Sequence, residues 1–73
     1  MLGKSNPLRT RFGAKVRKLR NELAISQEEL GFQTGLDRTY ISGIERGERN
    51  PSLDNIGKLA KALKVSLPYL FSF

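Results

Sequence analysis

Hydrogen-bonding side chains cluster in one short stretch, residues 36–50, which reads LDRTYISGIERGERN. Arg38, Ser42 and Arg46 follow one another in steps of four, so on a helix they would share one face, with Thr39 beside them. An arginine can donate two hydrogen bonds to a guanine edge, and a threonine methyl can pack on thymine. The spacing therefore predicts a surface that reads bases in the major groove. A solvated helix face would show the same spacing, so both interpretations stay open.

The helix that would carry these side chains has little apolar surface. Asp37 is its expected N-cap, and Gly47 follows its last turn. Its apolar residues form a single stripe: Leu36, Ile41 and Ile44. So short a helix is not stable alone in water, so this stripe must anchor it to a core. Gly43 costs about 1 kcal/mol inside a helix relative to alanine; a close approach to DNA or a neutral surface position would explain it.

Another short helix precedes this one. Ser26 stands three residues before Glu29, the arrangement of a capping box, so the helix is predicted to begin at Gln27. Gly35 can adopt the left-handed conformation that ends a helix. The predicted helix therefore lasts about two turns.

The two short helices, residues 27–34 and 38–46, have the sequence form of a helix-turn-helix. A plain helical hairpin would have similar spacing. Gly31 has no side chain where the helices must cross closely, and Leu36 is an apolar plug directly after the turn. These two residues favour the DNA-binding form.

Three further helices are predicted around this pair. The first, from about residue 7 to residue 24, begins near Pro7 and has one apolar face: Leu8, Phe12, Val16, Leu19 and Leu23. Ser52 caps the next, whose apolar face is broad: Leu53, Ile56, Leu59, Ala60 and Leu63. Ser66 caps a short last helix that tolerates Pro68 in its first turn. We therefore predict an all-α fold with five helices in a single domain, residues 7–73, after a flexible arm, residues 1–6.

The chain is strongly basic, with 13 Lys and Arg against 7 Asp and Glu and a net charge of +6. Seven of the basic residues and no acidic residue lie within residues 1–20. This charge favours a nucleic acid partner, although a solvated helix face would also carry it. Histidine and cysteine are absent, which excludes a histidine general base and argues against a zinc site. With no transmembrane run and no signal peptide, the predicted location is the cytoplasm.

One stretch of the sequence resembles a known family: SQEELGFQTGLDRTYISGIERGERNPSLDNIGKLAKALKVS. The chain resembles the phage-repressor and Cro type of helix-turn-helix domain, the XRE family, over about residues 9 to 71. The shorter run LDRTYISGIERGERNPSL is most similar to the controller proteins of restriction-modification systems. This resemblance implies a compact five-helix, lambda-repressor-like DNA-binding domain with a central helix-turn-helix. It also implies a homodimer that binds a palindromic operator in double-stranded DNA and regulates its own operon.

The resemblance also implies roles for matching residues. Base-reading positions are Arg38, Thr39 and Ser42. Phosphate-binding positions are Gln27, Tyr40, Arg46, Arg49 and Asn50. Gln27 would in addition brace the recognition helix. A structural ion pair between the first and third helices would join Arg20 and Glu45.

Three positions in the second helix depart from the family pattern. Thr34 stands where an apolar residue is usual, and Gly31 replaces the commoner alanine, so we expect a less rigid helix. Phe32 projects from a face that is often polar. It either packs on the first helix or belongs to a contact surface with no assigned partner.

The C-terminal run VSLPYLFSF holds more apolar side chains than one short helix can bury. Leu67 and Leu70 can close the core, which leaves Tyr69, Phe71 and Phe73 as a candidate interface. Related proteins of this size pair through this region, so the resemblance implies a dimer interface at four residues: Leu67, Tyr69, Phe71 and Phe73. As an alternative, these aromatic side chains fold back on the core as a stabilising lid.

Other classes of function explain less of the sequence. An enzyme is not expected, because the serines lack histidine partners, the carboxylates are scattered and no glycine-rich phosphate loop occurs. Binding of the basic first helix to a membrane surface would not explain the turn spacing or Gln27. An antitoxin or other protein-interaction module on the same fold remains the alternative. We expect no cofactor, metal or small-molecule ligand.

Overall fold

Side-chain caps mark where each helix begins in the computed structural model, which describes residues 6–73. The helices are α1 (Pro7–Glu22), α2 (Gln27–Thr34), α3 (Arg38–Glu45), α4 (Leu53–Leu63) and α5 (Leu67–Leu70). The residue before each helix accepts a hydrogen bond from a first-turn backbone N–H: Asn6, Ser26, Asp37, Ser52 and Ser66. No strand occurs within the described residues, and the predicted all-α fold of five helices is confirmed.

The predicted flexible arm, residues 1–6, lies outside the described residues except for its last position. Asn6 belongs structurally to α1, because its Oδ1 accepts a hydrogen bond from the Arg9 N–H at 3.1 Å. Pro7 is the first helical residue, where a missing N–H costs no intrahelical bond. α1 ends at Glu22, two residues before the predicted end.

The core is built from side chains of all five helices. Ten apolar side chains are buried in it: Phe12, Val16, Leu19, Leu30, Ile41, Ile44, Leu59, Ala60, Leu63 and Leu70. Burying a large aliphatic side chain contributes about 1.5 to 3 kcal/mol each, before the entropy of ordering the chain is subtracted. None of the helices within the described residues is both long and apolar enough to cross a membrane.

The predicted apolar faces were too long at their ends. Leu8 in α1, Leu23 directly after α1 and Leu53 in α4 are exposed, with Leu53 at 75%. α1 has 16 residues and is therefore about 24 Å long, whereas α3, which packs against it, has 8 residues and spans about 12 Å. Apolar periodicity continues beyond the part of each helix that a neighbour can cover.

α1 and α3 approach each other closely because Gly13 has no side chain. A Cβ at this position would collide with the Ile44 carbonyl oxygen and would lie 2.8 Å from the Glu45 carbonyl oxygen. The last turn of α3 thus rests directly on the backbone of α1. This contact sets the distance between α1 and the last turn of α3.

The turn between α2 and α3 is held by backbone and side-chain hydrogen bonds. Gly35 adopts φ 75°, as predicted for the residue that ends α2. A Cβ at Gly31 would lie 2.7 Å from the Leu36 carbonyl oxygen, so the predicted close crossing is confirmed. Thr34 is buried, donates to the Leu30 carbonyl at 2.8 Å and accepts from the Leu36 N–H at 3.3 Å. The departure at Thr34 therefore supplies a hydrogen bond across the turn.

Candidate nucleic-acid interface

α3 has one buried and one outward face. Ile41 and Ile44 are completely or almost completely buried, as the apolar stripe predicted. A shallow cleft of about 130 Å³ lies on the outward face and is lined by Arg38, Thr39, Ser42 and Arg46. The structure thus brings the three predicted base-reading side chains together with one predicted phosphate-binding side chain.

Thr39 is fixed by the residue that caps α3. Asp37 Oδ1 accepts a hydrogen bond from the Thr39 N–H at 2.7 Å and another from Thr39 Oγ1 at 2.5 Å. These hydrogen bonds lower the pKa of Asp37, so its carboxylate stays charged at the N-terminus of the helix, where the helix dipole favours an anion. Because its hydroxyl proton is committed to Asp37, Thr39 offers a methyl group and acceptor lone pairs to a ligand.

Arg46 lies along the outward face one turn after Ser42. Its Nη1 donates to Ser42 Oγ, and its Nη2 donates to Glu48 Oε1 at 3.0 Å. The hydrogen bond between Arg46 and Glu48 and the opposite charges of these two groups raise the pKa of Arg46 and lower the pKa of Glu48. Arg46 is therefore held between Ser42 and Glu48, while both charged groups remain exposed to solvent.

Tyr40 contacts two side chains from later in the chain. The Arg49 guanidinium carbon lies 5.6 Å from the centre of the Tyr40 ring, within the range of a cation–π contact. Asn55 Nδ2 in α4 donates to the Tyr40 hydroxyl at 3.2 Å. The tyrosine hydroxyl thus accepts from α4 and keeps its own proton for donation. Sequence reasoning missed Asn55, since a polar residue in the first turn of α4 shows nothing of its distance from Tyr40.

Arg49 crosses α3 at Gly43, which gives this glycine an explanation that was not predicted. A Cβ at Gly43 would lie 2.6 Å from Arg49 Cγ. The buried glycine therefore accommodates a side chain of the same protein. Asn50, the next predicted phosphate-binding residue, is exposed and lies at a groove of about 80 Å³ that Phe71 also lines, beside the C-terminal segment.

A buried carboxylate holds α3 from behind. The Glu45 side chain has no exposed surface and accepts hydrogen bonds from Arg20 Nε at 2.6 Å and from Arg20 Nη2 at 2.9 Å. Gln27 Nε2 adds a third at 3.0 Å, and Arg17 Nε a longer one at 3.4 Å. The structure thus places Arg20 and Glu45 in contact, as the resemblance implied, and adds Arg17. Gln27 braces α3 directly through Glu45.

The hydrogen bonds to Glu45 determine its ionisation. Burial raises the pKa of Glu45, but hydrogen bonds from Arg20 and Gln27 and the positive charge of Arg20 more than offset it, so the net direction is downward. The hydrogen bond to Glu45 in turn raises the pKa of Arg20. Both groups are therefore charged at neutral pH, and their two opposite charges fix α1 and α3 relative to each other.

The C-terminal aromatic side chains fold back on α1 and remain half-exposed. Phe71 stacks on Phe12 with ring centres 5.1 Å apart, and Phe73 lies 6.3 Å from Phe71. Lys15 Nζ lies 4.2 Å above the Tyr69 ring and donates to the Ser72 carbonyl at 3.1 Å. The lid and the exposed patch are thus both present, because each ring covers α1 with one side and faces solvent with the other.

One prediction about a single apolar residue was wrong. Leu67 does not close the core, since 43% of it is exposed, whereas Leu70 is fully buried. α5 has only four residues, so one turn directs a single large side chain inward. Of the two alternatives left open for Phe32, the structure excludes packing on α1, since 83% of Phe32 is exposed on α2.

The described residues therefore form a helix-turn-helix domain in which α3 is braced from behind and polar on its outward face. The chain belongs to the helix-turn-helix family, whose pattern it matches over residues 16–70. The family resemblance noted from the sequence is confirmed.

The chain is similar to several control proteins along most of their length. It is 53% identical over 70 residues to Control protein C.BamHI of Bacillus amyloliquefaciens. The aligned region covers 94% of this chain and 86% of that protein. It is 48% identical over 68 residues to Control protein C.MunI of a Mycoplasma species, covering 92% of each chain.

Solved structures of controller proteins share the fold. The restriction-modification controller protein C.AhdI from Aeromonas hydrophila is 50% identical with a TM-score of 0.83, over 85% of this chain and 94% of that one. The controller protein C.Esp1396I, solved as a tetramer in complex with its natural 35 base-pair operator, is 37% identical with a TM-score of 0.84, over 92% of this chain and 88% of that one.

Proposed function

We propose that this protein is a transcriptional regulator that binds a two-fold symmetric DNA operator as a homodimer. The observation that carries the proposal is the outward face of α3, where Arg38, Thr39, Ser42 and Arg46 surround one cleft on a helix braced by a buried carboxylate. A rigid helix with donors and acceptors on its solvent side fits the major groove. Its similarity to restriction-modification controller proteins, one of them solved with its operator, supports the same role here. Regulation of its own operon is what the family resemblance implies. Because its target is DNA, we expect it to act in the cytoplasm.

The side chains of the interface divide into two roles. Arg38, Thr39 and Ser42 read base edges, since they lie in the first two turns of α3 on the outward face. Residues at the margins bind phosphates and fix the register of α3 without reading sequence: Gln27, Tyr40, Arg46, Arg49 and Asn50. Tyr40 suits this role because Asn55 already occupies one acceptor site of its hydroxyl and leaves the proton to donate.

The proposed dimer interface is the aromatic patch of the C-terminal segment: Leu67, Tyr69, Phe71 and Phe73. All four side chains are between 42% and 49% exposed, so a second copy could cover the outer side of each. Pairing at this patch would set two copies of α3 on one face of the DNA, about 34 Å apart, which is one helical turn. This spacing requires a palindromic operator.

Catalysis is not part of the proposed function. Among the described residues, no group of three acidic side chains is arranged to hold a metal ion. The buried carboxylate, Glu45, is fully engaged with α1 and α2 and has no surface from which to contact a substrate. We therefore assign the charged groups to binding and structure.

Selection from a random duplex DNA library tests the proposal. We expect a palindrome whose half-sites are about one helical turn apart. Recovery of no enriched sequence, or of a single asymmetric site, would overturn sequence-specific binding by a dimer. Light scattering at micromolar concentration tests the dimer independently, since a mass equal to one chain would remove it.

A further inference from the structure

Gly43 in the interior of α3 lies under the side chain of Arg49. A Cβ built on Gly43 would lie 2.6 Å from Arg49 Cγ, 3.2 Å from Nε and 3.4 Å from Cδ. The arginine stem therefore runs across the glycine over three successive atoms. A carbon–carbon distance of 2.6 Å is far below van der Waals contact, so any larger residue at position 43 would displace this stem.

The end of the same side chain is held by Tyr40. The Arg49 guanidinium carbon is 5.6 Å from the centre of the Tyr40 ring. Tyr40 precedes Gly43 by three residues, so on α3 the ring and the glycine lie on the same side of the helix. Asn55 donates to the Tyr40 hydroxyl, which fixes the ring from α4. Gly43 and Tyr40 together form what we call the Arg49 seat: the aliphatic stem of Arg49 passes over Gly43, and its guanidinium lies near the Tyr40 ring.

We infer that Gly43 is a positioning residue that sets the Arg49 guanidinium at the margin of the DNA interface. This inference rests on the proposed DNA-binding function. Glycine weakens a helix interior relative to alanine, so its presence in an eight-residue helix has a cost in stability. In return, Arg49 is ordered before it meets a phosphate, and binding then loses less side-chain entropy.

Replacing Gly43 by alanine separates this role from folding. The three atoms nearest to the added Cβ all belong to the Arg49 side chain, which can rotate away without moving α3. The backbone at Gly43 is an ordinary helix, since Gly35 and Gly47 are the glycines with positive φ among the described residues. We therefore expect Gly43→Ala to keep or raise the melting temperature while weakening DNA binding.

Gly57→Ala is the matched control. Gly57 also lies inside a helix, α4, and a Cβ there meets no atom within 4 Å. Both substitutions remove the same helix penalty, but only the one at position 43 displaces Arg49. We expect Gly43→Ala to weaken binding to selected and random DNA about 3- to 10-fold and Gly57→Ala to leave it unchanged.

A double-mutant cycle with Arg49→Ala tests whether Gly43 acts through Arg49. In the Arg49→Ala background, Gly43→Ala should cause no further loss, and each single variant should lower the salt dependence of binding by at most about one phosphate contact. Additive losses in affinity would overturn the inference, because Gly43 would then contact DNA itself or alter another residue.

An NMR measurement without DNA keeps the inference separate from the proposed function. The Arg49 side-chain protons sense the Tyr40 ring, so their chemical shifts should move toward random-coil values in Gly43→Ala and stay in place in Gly57→Ala. Unchanged Arg49 chemical shifts in Gly43→Ala would overturn the inference that Gly43 positions the Arg49 side chain. If the wild-type protein bound no DNA while these shifts moved as expected, the DNA-binding function would fail and the seat would stand as a structural device alone.

Discussion

The side-chain amide of Gln27, the first residue of α2, donates a hydrogen bond of 3.0 Å to the carboxylate of Glu45, the last residue of α3. The same carboxylate accepts from Arg20 in α1. One buried acidic side chain therefore connects α3 to both α1 and α2.

Removal of the buried carboxylate should be costly. Glu45→Ala leaves Arg20, whose side chain is 12% exposed, without its charged partner. We expect a loss of about 3 to 5 kcal/mol in the free energy of unfolding. For a domain of this size, that loss corresponds to a fall in Tm of more than about 10 °C, which calorimetry would measure.

Arg17→Ala is the control for the carboxylate network. Arg17 lies 3.4 Å from the same carboxylate, but 57% of its side chain is exposed. An exposed ion pair contributes at most about 1 kcal/mol, so the melting temperature should change little. Equal losses for Glu45→Ala and Arg17→Ala would contradict the dominant role of Arg20.

Acid should destabilise the protein through Glu45. Burial raises the pKa of Glu45, but hydrogen bonds from Arg20 and Gln27 outweigh this effect, so the pKa is lower in the folded chain than in the unfolded chain. Its contribution is therefore complete above the unfolded pKa and is lost as the pH falls through the folded pKa. Between about pH 5 and about pH 3, Tm should fall more steeply for the wild-type protein than for Glu45→Gln.

Asp37 and Glu48 also have lowered pKa values, so both proteins in this comparison retain some dependence on acid. The prediction concerns the difference between the two curves. Parallel curves would show that Glu45 does not titrate differently in the folded and unfolded chains.

The two arginines at the ends of the outward face should affect DNA binding differently. If Arg38 reads a base as proposed, Arg38→Ala should cost about 1 to 3 kcal/mol on the selected operator while relaxing the preference at one position. If Arg46 binds a phosphate as proposed, Arg46→Ala should weaken binding to all sequences similarly, with a smaller salt dependence. Titrations on selected and random duplexes at several salt concentrations measure both effects. An equal loss on both duplexes for Arg38→Ala would count against base reading.

Gly13→Ala should destabilise the fold, whereas Gly57→Ala should not. A Cβ at Gly13 collides with backbone carbonyl oxygens of Ile44 and Glu45, which cannot rotate away. We expect a loss of about 1 to 3 kcal/mol in unfolding free energy from this overpacking. Alanine at Gly57 meets no atom within 4 Å and should stabilise α4 by up to about 1 kcal/mol. Chemical denaturation distinguishes the two, and equal stability would refute the tight contact between α1 and α3.

Phe73→Glu should weaken the proposed dimer. The ring is 45% exposed and contacts Phe71, so a charged group at this position would face the interface without disturbing the buried core. Phe32→Glu on α2 is the control, since that ring is far more exposed and lies on another element. Sedimentation equilibrium should show dissociation for Phe73→Glu alone. Dissociation by both variants, or by Phe32→Glu only, would place the interface elsewhere.

The helix boundaries were predictable because their signals are local. The Ser26 hydroxyl and the Asp37 carboxylate each accept a hydrogen bond from a backbone N–H two or three residues later. Gly35 ends α2 through its own backbone conformation. Such interactions depend on neighbours in the chain, which a sequence displays directly. The outward residues of α3 were predictable for the same reason, since a helical period orders them.

Burial at helix ends and contacts between distant polar groups were not readable in this way. Leu8 and Leu53 follow the apolar period but lie where no neighbouring helix reaches them. Arg20 could be paired with Glu45 only by resemblance to a family, because 25 residues separate them and no local rule states their distance.

The sequence by itself determined five helices, their caps, a basic surface and a polar face on α3. Only the tertiary structure decided that Glu45 gathers donors from two other helices, that Gly43 lies beneath Arg49 and that Asn55 holds Tyr40. The physical reason is the range of the interactions. Caps and periodicity act over three or four residues, whereas these contacts exist only after packing of the core has brought separate helices within hydrogen-bond or van der Waals distance.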